Sequence, residues 1–398
     1  MQYPRRFSDL PEYAFPRLRA LLDTTQAGGE PLAMSIGEPT HPLPPMVAEV
    51  LTETAHLYGK YPVNDGVPEL REAISAWLKR RYGVEKDPAT DVLPLNGTRE
   101  GLFNACLALC PEEKNRQKPT VLIPNPFYQC YAVAALAAGA EPVFVPATRD
   151  TGYLPDFRAV PKSLLDRAAI IYMCSPANPQ GAVASPEYWS DLVALAEEID
   201  ARVFADECYA EIYRDSPPAG ALQAGGDPER VVVFHSLSKR SNLPGLRSGF
   251  AAGGPQSIAR MKQLRNYAGA PLPMPAQFAA AAVWADEAHV EANRALYRAK
   301  FKAADRILGN VPGYTSPEAG FFLWLPVDDD EAMAKQLWAE HGVRVLPGRY
   351  LARDTDPALG GGNPGAGHIR VALVAPLPEI DRGLSAIAET LLTPEDHP

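Results

Sequence analysis

The stretch Val231-Val-Val-Phe234-His-Ser236-Leu-Ser238-Lys239-Arg-Ser-Asn-Leu-Pro244-Gly245-Leu-Arg247-Ser-Gly-Phe250 is the one around which the chain is organised. Its first four residues form an apolar run that reads as a buried strand. The run empties into two serines, a lysine and, eight positions on (247 − 239), an arginine, with Pro244 and Gly245 punctuating the loop. Hydroxyls and a guanidinium together suit a phosphate dianion, because arginine offers a fixed fork of donors. A lysine at the mouth of such a receptor suits a Schiff base with a phosphorylated aldehyde cofactor. Most single lysines are solvated surface charges. Here the neighbours argue for chemistry.

Outward from this stretch, apolar strand candidates recur at 120–124, 142–146, 169–174, 202–206, 231–235 and 248–252. Helical patterns fall between several of them, notably 186–199, where Trp189, Leu192, Leu195 and Ala196 share a face. Such alternation predicts a largely parallel sheet covered on both faces, with ligands at the carboxyl ends of the strands. The polar residues cluster there. Asn125-Pro-Phe-Tyr128, Cys174-Ser-Pro-Ala-Asn178, Asp206-Glu-Cys-Tyr209 and Lys239 each follow a strand, which predicts one shared pocket.

Upstream, Val92-Leu-Pro-Leu-Asn96-Gly97-Thr98-Arg99 runs into a helix over 98–110. A Gly before a helix start leaves free amides aimed at an anion; capping alone would equally account for Thr98. Pro68 fits the first turn of a helix with Leu70, Ile74, Trp77 and Leu78 on one face. Residues 1–35 read as an N-terminal arm and helix, 36–285 as a large domain, and 286–398 as a smaller α+β domain on which the arm packs. Gly360-Gly-Gly362-Asn-Pro-Gly365 has dinucleotide-fingerprint spacing but precedes a strand instead of opening a helix, so it reads as a loop.

Composition narrows the classes. The 398 residues are 46% apolar and 22% charged, with a formal net charge of −10, and the basic residues are dispersed, which argues against a nucleic-acid surface. The five cysteines form no CxxC pair and read as small core residues of a reducing compartment; the seven histidines lack metal-ligand spacing, and no metal site is expected. No apolar run approaches a membrane span, and the polar start lacks a signal-type core, so a cytoplasmic protein is expected.

The Lys239 stretch, Ser-Pro-Ala-Asn178-Pro, Asp206-Glu-Cys-Tyr209 and His368-Ile-Arg370-Val-Ala-Leu, in that set, resemble the motifs of class I/II, fold-type I pyridoxal phosphate-dependent aminotransferases. Each motif is weak alone, and the set is specific. The resemblance implies an α/β fold: a large domain around a seven-stranded, mostly parallel sheet, plus the small α+β domain. Lys239 would hold the cofactor. Asp206 would keep the pyridine nitrogen protonated, although in isolation it reads equally as a helix cap or a surface carboxylate. Asn178 and Tyr209 would donate to the ring oxygen, and Tyr128 would stack on the ring face.

The same resemblance implies that Gly97, Thr98, Arg99, Ser236, Ser238 and Arg247 hold the cofactor's phosphate end. Arg370 would bind the substrate α-carboxylate, with Gly37 and Asn178 beside it. Tyr61 would reach the cofactor of a neighbouring subunit, making a homodimer with shared sites. The substrates implied are glutamate/2-oxoglutarate and a second amino-acid/keto-acid pair.

Leu346-Pro-Gly-Arg-Tyr-Leu-Ala-Arg-Asp354, Asn363-Pro-Gly365, Asn96-Gly-Thr-Arg-Glu100, Asn125-Pro-Phe-Tyr-Gln129 and Lys239-Arg-Ser-Asn242 are similar to bacterial N-succinyldiaminopimelate aminotransferases of lysine biosynthesis. That family usually shows Tyr-His-Gly-Ser-Ala-Met-Ser where this chain has Tyr267-Ala-Gly-Ala-Pro-Leu-Pro273. Alternatives are another amino-acid aminotransferase, a C–S lyase using the same cofactor, and, more distantly, a non-catalytic cofactor-sensing regulator domain.

Overall fold

Seven strands form the main sheet, in the order Val92–Leu95, Gly249–Ala252, Val231–Ser236, Arg202–Asp206, Ala168–Cys174, Thr120–Asn125, Glu141–Pro146. All neighbours are parallel except Gly249–Ala252, which runs antiparallel to both strands beside it. The computed structural model describes residues 7, 8, 10 and 12–392, so much of the polar start of the expected arm lies outside the described residues. Register fixes what emerges at the carboxyl edge. Cys174 stands opposite Asp206, Asp206 opposite Phe234, and Ser236 opposite Gly249. The strands are buried along nearly their whole length, as expected of a sheet covered on both faces.

One face is covered by the helices Pro68–Tyr82, Pro186–Glu198 and Met274–Ala285, the other by Thr98–Leu109 and Cys130–Ala137. Pro68 does occupy the first helical turn, and Gly83 ends that helix in the left-handed region (φ 68). Met274–Ala285 was not evident from periodicity. It packs between Met46–Thr54 and Pro68–Tyr82 and is apolar nearly all round, which erases the one-sided pattern.

A second sheet pairs Leu346–Pro347, His368–Ala372 and Phe322–Pro326 antiparallel. Its core joins Tyr297, Phe301 and Leu308 of the helix Ala288–Leu308 to Ile380, Leu384 and Ile387 of the helix Leu377–Leu391. Leu32–Ala33 pairs parallel with Val343–Arg344, and the N-terminal helix Ala14–Leu22 packs on Trp338 and Tyr350. The chain leaves this region at Met34, whose carbonyl accepts from Ala372 N, and crosses through residues 36–42 toward the main sheet. Among the described residues, no helix is long and apolar enough to cross a membrane.

Candidate active site

Lys239 sits in the single-turn helix Leu237–Arg240, started by Ser236, whose Oγ accepts from Ser238 N at 3.0 Å. The ammonium donates to the Gly37 carbonyl and lies 5.5 Å from the Phe321 ring centroid. Burial, aided by the positive charges of Arg370 and Arg247, lowers its pKa to about 8. A lysine so placed has an amine available near neutral pH.

A cavity of about 300 Å³ opens beside it. Asp206 forms its floor, buried, with Oδ2 accepting from Tyr131 Oη at 2.7 Å and Oδ1 from Cys208 N at 3.3 Å. Burial raises the carboxyl's pKa against these two donors. A cation set against Asp206, such as a protonated ring nitrogen, would remove that cost, so the residue fits the expected group. Asn178 and Tyr209 meet on one wall, 3.4 Å from Nδ2 to Oη. Tyr128 lies on another, its hydroxyl accepting from Arg99 Nε.

The phosphate end is equally explicit. Ser236 and Ser238 present their hydroxyls 2.9 Å apart, beside Thr98 and Arg247. Arg247, in the left-handed region (φ 57), spends donors only on the carbonyls of Pro244 and Asn96, and no carboxylate pairs with it among the described residues. Gly97 (φ 81) precedes the helix Thr98–Leu109 without a side-chain cap, and a Cβ there would land on the Arg247 guanidinium. Free amides, hydroxyls and an unpaired guanidinium converge as a phosphate dianion needs.

Arg370 reaches Asn178 from the second sheet. It is 5% exposed, its Nη1 donates to Asn178 Oδ1 at 3.0 Å and its Nη2 to the Ser35 carbonyl at 2.6 Å, while Nε has no partner among the described residues. Phe322 lies under the guanidinium, 4.2 Å from ring centroid to Cζ. Burial lowers the pKa to about 10. A buried cation lacking a counter-ion beside Asn178 fits a carboxylate ligand. Gly37 contributes only its backbone; a Cβ there would collide with Phe322.

Tyr61 is the exception: it is 99% exposed and touches none of this within the chain. Sequence reasoning missed Tyr131, which lies in the first turn of the helix Cys130–Ala137, just after the Asn125-Pro-Phe-Tyr128 stretch that it did single out. It also read Cys208 as a core filler, whereas its Sγ lies 3.1 Å from Thr98 Oγ1 at the cavity wall. The stretches 346–354 and 363–365 do not line the cavity. They are tied to each other (Asn363 Nδ2 to Arg349 O, 3.2 Å) and to Asn125. Among the described residues, no cluster of three His, Cys, Asp or Glu side chains could hold a metal ion.

Residues 30–387 match the family model "Aminotransferase class I and II". An LL-diaminopimelate aminotransferase of Dehalococcoides mccartyi is 31% identical, with 98% of each chain covered. An aminotransferase of Neisseria meningitidis superposes with a TM-score of 0.92 at 38% identity, covering 98% of this chain and 100% of that one. A probable N-succinyldiaminopimelate aminotransferase of Thermus thermophilus superposes at 0.84 with 28% identity, over 95% and 100%. The chain belongs to the class I and II aminotransferases, enzymes that work with pyridoxal phosphate.

Proposed function

We propose that this enzyme transfers the amino group of a diaminopimelate-type substrate to 2-oxoglutarate, N-succinyl-LL-2,6-diaminopimelate being the substrate its sequence blocks favour. One observation carries the site assignment: Lys239, Asp206, Asn178 and Tyr209, from three strand ends, line one cavity, and Arg370 is hydrogen-bonded to Asn178 at its wall. Pyridoxal phosphate supplies an electron sink for the substrate's Cα–H bond. Lys239 would do the acid–base work at the substrate's Cα, holding and returning its proton, with an amine whose pKa of about 8 suits both roles. Arg370 and Asn178 orient the α-carboxylate. Asn178 and Tyr209 would donate to the ring oxygen, Asp206 would pair with the ring nitrogen, and Tyr128 would stack on the ring. Gly97, Thr98, Arg99, Ser236, Ser238 and Arg247 would hold the phosphate end.

Exposed Tyr61, Tyr58 and Tyr267 support a homodimer in which Tyr61 completes the neighbour's site. We also place the domain division near residue 285. The core beneath the helix Met274–Ala285 belongs to the main sheet, and that beneath Ala288–Leu308 to the second.

Several relatives named LL-diaminopimelate aminotransferases favour a second reading, in which the unsuccinylated compound is the substrate. Steady-state rates with 2-oxoglutarate and each compound separate the two. A kcat/KM higher for the succinylated compound supports the first, and the reverse order supports the second. Glutamate formed from neither, with turnover of other amino acids, would remove both. Lys239→Ala should lose the cofactor's visible imine absorbance and turnover together.

A further inference from the structure

Beyond the cavity, a buried polar chain joins the two segments that meet at Lys239. Asn293, 5% exposed on the helix Ala288–Leu308, uses both ends of its amide. Its Oδ1 accepts from His41 Nδ1 at 2.7 Å and from Asn242 Nδ2 at 3.1 Å, and its Nδ2 donates to the Arg240 carbonyl at 3.4 Å. His41 therefore carries its proton on Nδ1, because an amide oxygen only accepts. Its Nε2 then accepts from Lys300 Nζ at 2.7 Å. Burial and Lys300 hold the imidazole below its ordinary pKa, in keeping with the neutral tautomer.

The two segments so joined are the residues flanking the reactive lysine's contact. Arg240 and Asn242 follow Lys239 directly, and Asn242 is held in the left-handed region (φ 53). His41 lies four residues beyond Gly37 (41 − 37), whose carbonyl receives the Lys239 ammonium. The loop's far side is fixed by Thr40 Oγ1 donating to the Val374 carbonyl at 2.7 Å. Asn242 also reaches the Pro42 carbonyl, at 3.4 Å. We propose that Asn293 is a positioning residue for the reaction: its amide locks the loop 37–42 to the turn after Lys239, and so holds the lysine amine at the Gly37 carbonyl. This rests on the reading of Lys239 as the reactive amine.

A neighbouring line of groups sharpens the assignment. His289 stands 2.5 Å from Asp286 Oδ2 through Nδ1 and 2.8 Å from Ser241 Oγ through Nε2, the order of a hydrolytic triad. Ser241 is fully buried, so no substrate reaches its oxygen, and the line acts as a fastening. It ties the Lys239 turn to the same helix without touching the loop 37–42. Losing the Asn293 amide therefore removes the loop's His41 tie to the turn, with the Thr40–Val374 and Asn242–Pro42 bonds remaining, while leaving the turn attached.

The test reads Lys239 directly. Apoprotein is acetylated in competition, and Lys239 labelling is measured by mass spectrometry against exposed Lys118. Asn293→Leu should raise relative labelling of Lys239 about fivefold, the equilibrium weight of one lost hydrogen bond. In the holoenzyme, kcat should fall by about the same factor while KM for the amino donor changes by less than about twofold. Asn293→Asp keeps the acceptor for His41 and Asn242 and should return labelling to within about twofold of wild type. If Asn293→Leu fails to fold, His41→Phe removes the same bond from the other side and should raise labelling alike. Labelling within about twofold of wild type in the folded apolar variant, or Asp behaving as Leu, overturns the proposal. A Lys239→Ala holoenzyme that keeps its visible absorbance and turnover would instead remove the underlying reading, a result the labelling data do not share.

Discussion

Arg370 Nη1 donates to Asn178 Oδ1 at 3.0 Å, so a guanidinium carried by the second sheet is aimed by an amide carried by the first. The pair spans the two layers and leaves Arg370 Nε buried without a partner. Arg370→Ala should weaken binding of every amino and keto acid substrate by about 2–5 kcal/mol, because each presents the same α-carboxylate. Arg370→Lys should recover little of this, since an ammonium lacks the fork that serves Asn178, Ser35 and a carboxylate together. Initial rates with glutamate and with the second substrate check it; a loss confined to one of them would contradict the assignment.

Tyr131 is fully buried, stacked on Tyr172 with ring centroids 4.5 Å apart, and its hydroxyl donates to Asp206 Oδ2 at 2.7 Å. Tyr131→Phe keeps the stack and deletes the donor. A hydrogen bond to a charged acceptor is worth about 1.5–3 kcal/mol. The Asp206 carboxyl should be pushed further up and hold a ring cation less well. We expect kcat to fall about tenfold or more with a weaker hold on the cofactor. An unchanged kcat and cofactor dissociation constant would count against a role for Tyr131.

Gly97 adopts φ 81 directly beneath the Arg247 guanidinium. In Gly97→Ala the backbone is strained and the new methyl displaces Arg247, at a cost of about 1–3 kcal/mol. Equilibrium titration with pyridoxal phosphate should show its dissociation constant rising about tenfold. Binding as tight as wild type would argue that this helix start does not hold the phosphate.

Lys300 is buried with no carboxylate paired to it among the described residues, and burial lowers its pKa from the ordinary 10.5 to about 7. The sign follows from where the proton resides. Below about pH 7 the folded chain must bear the buried charge, so the destabilising contribution is fully present. Between 7 and 10.5 the unfolded chain binds the proton and the folded chain does not, so stability rises with pH. Relative to Lys300→Met, wild-type apoprotein should therefore gain resistance to denaturant from pH 7 to pH 9, by up to about 1.4 kcal/mol per pH unit. Denaturation midpoints that stay parallel across that range would refute the shift.

The strand positions along the chain, the carboxyl-edge positions of Asn178, Asp206, Tyr209 and Lys239, and the helix start at Thr98 were legible because they are local; the order of the strands in the sheet was not. A β-branched run, a Pro–Asn turn or a Gly before a helix states its conformation in a few residues. The antiparallel direction of Gly249–Ala252 was not legible, since a short apolar run carries no direction. Met274–Ala285 was not legible because it is apolar nearly all round and has no one-sided face to show, unlike Leu377–Leu391.

By itself, then, the sequence determined the family, and it singled out Lys239 as the candidate amine and Ser236, Ser238 and Arg247 as the candidate phosphate receptor, because these depend on residue type at fixed spacing along one chain segment. Only the tertiary structure decided that Arg370 is aimed by Asn178, that Tyr131 serves Asp206, and that Asn293 ties residues 41 and 242 together. The chain separates those partners by 192, 75, 252 and 51 positions, and no local pattern encodes contacts made by packing one layer against another.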